Sequence, residues 1–462
     1  MPVRRSVAVI TTVAAASFAS LGAAATAAGG WSLPVRLSAP GLPQAPLIAE
    51  DSAGDQTAAW TLEEPTEMEQ FVVMSATRPA GSRAWSKPAA VSDLNAQPDS
   101  AQLAVAPSGA AVLAWSEFVR EGRRGHRKLV EAIEARVSSS ATAPWRPPAQ
   151  ISPRGQNTGE FAIGIDGSGR PVAVWTAGVA VNGPIESARG STASGRWGAA
   201  KRVATAQLGG SGLELAINAG GDAIATWQHQ GPVPKRTGSL TPVVTYTVIA
   251  AERRAGQGWQ RPLRIGRFAE PLPQPGGNIW GPATQQVTLD PDGDAMVAWS
   301  APVSAKQLIE FSYRPADAPV WQPAVLLSSH AVGPVIATDA SGNVTATWLD
   351  ARNRVVTATR PAGDGTAFSP PSIVPRSAGA QLSWLSVNAH GDAVIAWLGE
   401  HGREFVSSRS GPGGSWGEPA TIGSGGFPQA ALNNRGDIAV IWQRLLSPRS
   451  GDAIEVAAYN AR

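Results

Sequence analysis

The chain has 462 residues, of which 43% are hydrophobic and only 16% charged, a balance that excludes a highly charged disordered polymer. Its 50 Gly and 38 Pro exclude a long helical protein, because each is costly inside a helix. A net charge of +3 without a basic, aromatic-interleaved stripe argues against nucleic-acid binding, and the lack of Cys excludes disulfides, thiol catalysis and Cys-ligated zinc.

The N-terminus reads as an export signal. Arg4 and Arg5 give a positive start, residues 6–21 form an uncharged apolar run, and Ala25-Thr26-Ala27 supplies an A-x-A cleavage pattern. Residues 1–27 are therefore expected to be a signal peptide, and the protein to be secreted, either extracellular or associated with the cell envelope. No later segment is long and apolar enough for a bilayer span of about 20 residues. The mature chain, 28–462, is expected to be a single domain.

That domain is a repeat. A Gly and a Trp six residues apart recur eight times: Gly54/Trp60, Gly109/Trp115, Gly169/Trp175, Gly221/Trp227, Gly293/Trp299, Gly342/Trp348, Gly391/Trp397 and Gly436/Trp442. Three residues before each Gly stands Asp51, Ala106, Asp166, Asn218, Asp290, Asp339, Asn388 or Asn433. Asp or Asn can bond the backbone two residues on, and Gly accepts the left-handed conformation that closes a hairpin. Five residues before each Gly all eight side chains are small: Ala49, Ala104, Gly164, Ala216, Thr288, Ala337, Ser386 and Ala431. Strands crowded around a common axis need that. The strand before the turn is A and the Trp-bearing strand is B. Strand C follows a variable loop, as in Val355-Val356-Thr357-Ala358. Strand D follows an aromatic, as in Trp85 or Trp145.

The two ends of the chain balance the count. Residues 31–37 read as a lone strand D and residues 454–458 as a lone strand C, so together they complete one unit. The expectation is an all-β, eight-bladed β-propeller of repeats of about 54 residues, closed by pairing the N-terminal strand D with the C-terminal blade. Seven blades with one displaced unit is the alternative.

Residues 336–348, Ile336 through Asp339, Gly342 and Asn343 to Trp348, resemble the hairpin of NHL-type propellers. Trp348 stands where that family ends the strand with Asp. The whole chain resembles secreted bacterial β-propeller proteins with Trp-containing repeats. The sialidase Asp-box and the quinoprotein docking motif space their residues differently.

Candidate chemistry is sparse. The turn carboxylates, densest at Asp290, Asp292 and Asp294, read as structure, since Asn replaces Asp in three turns, so no metal site is expected. No cofactor motif is present. Trp280 and Trp384 fall outside the Trp template and are candidates for ligand contact. Glu117, His229, Asp350, Glu400, His401 and Arg444 follow strand-B Trp residues and are expected on the rim formed by the B–C and D–A loops. The expected function is a secreted binding or scaffolding propeller that recognises a cell-envelope glycan or an exported protein. The alternative is a carbohydrate-active hydrolase or lyase using rim carboxylates such as Glu117 and Glu400.

Overall fold

The computed structural model describes residues 30–63, 70–94, 96–97, 100–122, 127–178, 182–232, 243–271, 285–303, 306–363, 365–447 and 451–460. They form eight four-stranded antiparallel sheets. The innermost strands A define blades 1 to 8: Leu42–Glu50, Gln102–Val105, Thr158–Ile165, Ser211–Ile217, Gln285–Leu289, Ala331–Thr338, Leu382–Val387 and Gly426–Leu432. Each strand A contacts the next, and blade 8 contacts blade 1, so the ring is closed. The fold is the eight-bladed propeller that the repeat implies. The expected signal peptide lies outside the described residues. Among the described residues no helix is long and apolar enough to cross a membrane.

Closure uses both ends of the chain. Val35 and Arg36 pair with Val456 and Glu455 in the sheet of blade 8. Ser32 N–H donates to Ala458 O at 2.7 Å, and Leu37 N–H donates to Ile454 O at 2.8 Å. The Ser32 and Ser38 hydroxyls accept from Ala458 and Ile454 N–H.

The strand-B Trp residues are at most 1% exposed in all eight blades, each packed between sheets. Burying a large apolar side chain contributes about 1.5–3 kcal/mol, so this layer is a main source of stability in a chain without disulfides. Strand D is shorter than expected at several blades. It begins immediately after a proline, at Val35, Ala89, Ala149, Leu263, Ser372 and Ala420. Proline has no N–H to give to the ladder, so pairing starts only beyond it.

The A–B turns bond as their residues predict. Asp339 Oδ1 accepts the N–H groups of Ser341 and Asn343, each at 2.9 Å, and Asn388 Oδ1 accepts those of His390 and Asp392. Where the residue is Asn, its amide also reaches the next blade. Asn218 donates to Asp290 O, Asn388 to Asn433 O, and Asn433 to Glu50 Oε1. A carboxylate could not donate these bonds. The turn Gly is required twice over. At Gly109 φ is 82°, and a Cβ there would lie 2.6 Å from Asp51 Oδ2 of the preceding blade.

Candidate functional site

The inner edge of strand A has no further strand to pair with, so its N–H and C=O groups face the axial channel. Side chains at odd offsets before the turn Gly lean toward the next blade and meet that edge. The layer three residues before Gly is the buried turn layer, and the layer five before is the small-residue waist, where Gly164 packs under Ile217.

The next layer, seven residues before Gly, abandons the repeat. It consists of Leu47, Gln102, Ala162, Glu214, Gln286, Val335, Trp384 and Gln429. Gln102 caps the edge of blade 3, donating to Phe161 O at 2.7 Å and accepting from Ile163 N–H at 3.1 Å. Trp384 Nε1 donates to Ala430 O of blade 8 at 3.0 Å, and the residue is 39% exposed. Gln286 donates to Glu214 Oε1 at 3.4 Å.

Closer to the D–A mouth, strand A is bulged in blades 1, 3, 4, 6 and 8. In four of these the bulge holds a residue at positive φ: Ala45, Gly212, Gly333 and Phe427. An aromatic residue at φ 58° is strained, and Phe427 is 49% exposed as well. In the bulge of blade 3, Glu160 Oε2 accepts the N–H groups of Gly212 and of Leu213, the latter at 3.1 Å. Glu214 follows two residues on. Burial first, and the Glu160 carboxylate second, push the Glu214 carboxyl up to about 8.

The mouth therefore has two unlike arcs. Blades 2 to 5 present Gln102, Glu160, Glu214 and Gln286, with Ala162 the apolar exception. Blades 6 to 8 and 1 present Val335, Trp384, Phe427 and Leu47, with Gln429 the polar exception. This arrangement can stack a flat apolar face on one side and hydrogen-bond polar groups on the other.

No protein-family model matches this chain, and no curated protein matches it. Solved structures do resemble it. One is a polysaccharide lyase, with TM-score 0.49 and 10% identity, covering 92% of this chain and 91% of that one. Another is an ulvan lyase, with TM-score 0.43 and 10% identity, covering 84% and 96%. A third is the NanB sialidase from Streptococcus pneumoniae, with TM-score 0.39 and 9% identity, covering 90% and 85%. At these values neither ligand nor chemistry carries across.

Of the residues expected from sequence, Trp384 belongs to the mouth, and Trp280 lies outside the described residues. Among the described residues no hydrogen bond or ion pair joins any two of the expected rim residues. Glu117 accepts Trp115 Nε1–H at 2.8 Å, and burial raises its carboxyl above the usual range. His229 Nδ1 lies 2.7 Å from Gly209 O. Asp350 caps a B–C turn: burial works against its charge, but bonds from Arg354 and Arg352 outweigh that and hold its carboxyl low. Arg444 pairs with Glu455 at 2.9 Å. Glu400 and His401 are exposed in a short turn of blade 7, His401 at φ 60°. Glu117 and Glu400 stand on blades 2 and 7, with blades 1 and 8 between them. Sequence reasoning missed Glu160, Glu214, Gln286 and Phe427. Aligning the repeats on Gly and reading two residues beyond the small position would have found Glu214 and Gln286.

Among the described residues no group of three or more His, Asp or Glu could hold a metal ion.

Proposed function

We propose that this chain is an exported binding propeller whose ligand, a cell-envelope glycan, sits at the D–A mouth of the axial channel. The observation that carries this is the break in symmetry. Waist and Trp layers keep one residue class in all eight blades, whereas the mouth exposes Trp384 and Phe427 on adjacent inner strands. An exposed aromatic face beside amides and carboxylates suits a sugar ring, which has an apolar C–H face and a polar edge. Export rests on Arg4, Arg5 and the Ala25-Thr26-Ala27 pattern. Membership among secreted bacterial propellers with Trp-containing repeats is part of the same reading.

A glycan array followed by calorimetry tests it. The wild-type protein is expected to bind at least one envelope glycan, and Trp384→Ala to weaken that binding about tenfold or more, as loss of a central aromatic contact does. An empty array, with an exported protein captured instead, would replace the glycan with a scaffolding role.

The adjacent carboxylates Glu160 and Glu214 favour one second reading, a hydrolase or lyase. Their environments differ, one oxygen being anchored by backbone N–H groups and the other carboxyl being held protonated by burial. Turnover of a bound oligosaccharide that is lost in Glu214→Gln would establish this reading.

A further inference from the structure

We propose that the glycan at this mouth bears free amino groups, as in an oligomer of unacetylated hexosamine. The inference rests on the glycan reading above and narrows it.

Elsewhere in this Arg-rich chain, six partly buried acids, Asp166, Glu186, Asp222, Glu252, Asp350 and Glu455, are paired with arginine. Glu160 and Glu214 have no ion pair among the described residues, and the charge that acts on Glu214 is that of Glu160. Two carboxylates side by side without a cation are mutually unfavourable. Glu160 cannot turn away, because two backbone N–H groups fix one of its oxygens. Glu214 meets this by holding its proton; a ligand ammonium would pair with the Glu160 carboxylate and let Glu214 ionise beside it, while a neutral sugar offers neither. On the facing arc, Trp384 and Phe427 offer ring faces that accept both a sugar C–H face and a nearby cation. The occupant that answers both arcs has a flat apolar face and a positive charge. Gln286 and Gln429, whose planar amides read hydroxyl groups, favour a sugar over a cationic peptide.

The test is calorimetry at pH 6, where amines are protonated. Three oligomers of equal length are titrated: glucosamine, N-acetylglucosamine and glucose. A Lys- and Arg-bearing peptide is the fourth probe. The glucosamine oligomer is expected to bind at least tenfold more tightly than either neutral oligomer, and its advantage to shrink with added salt. Glu160→Gln, which keeps an acceptor for Gly212 and Leu213, should cut that advantage to about threefold or less. Glu214→Gln gives the same readout if the first variant does not fold. A neutral oligomer that binds as tightly as glucosamine overturns the amine inference and leaves the glycan reading standing. Failure of all three sugars overturns both, whether or not the peptide binds.

Discussion

The two ends of the axial channel are built from the same eight strands, yet they obey the repeat to different degrees. At the hairpin end every blade supplies a turn residue and a small waist residue, and seven of the eight turn positions hold Asp or Asn. At the mouth the same strands carry leucine, glutamine, glutamate and tryptophan, and one bulge holds a strained phenylalanine. Packing needs uniformity, because each sheet must fit the next. Recognition needs the reverse, because a ligand smaller than the ring meets only a few blades. The contrast separates residues that hold the wheel together from residues free to contact something else.

Removing a ring tryptophan should separate the two classes most sharply. Trp299 is fully buried between blades 4 and 5, and Trp299→Ala is expected to cost about 3–5 kcal/mol. Trp384→Ala should shift the urea midpoint little, since Trp384 is partly exposed, while weakening ligand binding. Equal losses of stability would dissolve the distinction. The closure is next. Leu37→Pro removes a ladder donor and a buried side chain from the N-terminal strand, and should cost about 2–4 kcal/mol by denaturant unfolding. No change would mean that the ring does not depend on its zipped ends.

Acidity tests the interior. Glu50, Glu214 and Glu404 are each pushed up to about 8, chiefly by burial. The side chain of Glu404 is fully buried and neither of its oxygens has a hydrogen-bond partner among the described residues. A raised acid binds its proton more tightly when folded. Its contribution is therefore complete below about pH 4.5, falls as pH rises to about 8, and is gone above that. Glu404→Gln should flatten the decline of melting temperature between pH 5 and 8, and a slope unchanged from wild type would contradict this. The smallest effect is expected at Phe427. Phe427→Gly relieves the positive φ and should leave stability unchanged or raise it by up to about 1 kcal/mol, while weakening ligand binding. A clear loss of stability would make Phe427 a packing residue.

Most of the architecture was legible because it rests on local chemistry repeated eight times. The Asp-x-x-Gly turns, the buried Trp and the split end strands each announce themselves in the sequence, and the ring follows from counting them. The mouth was harder to read because function there lies in departures from the repeat. Glu214 and Gln286 look like ordinary strand residues until the blades are superposed on their turn glycines. Phe427 depends on a bulge that no spacing predicts. Three of the expected rim residues have structural partners. Asp350 is followed by Asn353 at φ 54° and Arg354, and repeats the capping seen at Asp166, Gly169 and Arg170. It is one more structural turn, in a B–C loop. His229 and Arg444 are likewise engaged by Gly209 and Glu455.

The structure of the protein with its tightest-binding oligosaccharide decides whether the mouth is the ligand site. A sugar ring is expected against Trp384 and Phe427, with its polar or charged edge toward Glu160 and Glu214. An oligosaccharide seated on the A–B hairpin face or along the outer strands, with the mouth unoccupied, would contradict it.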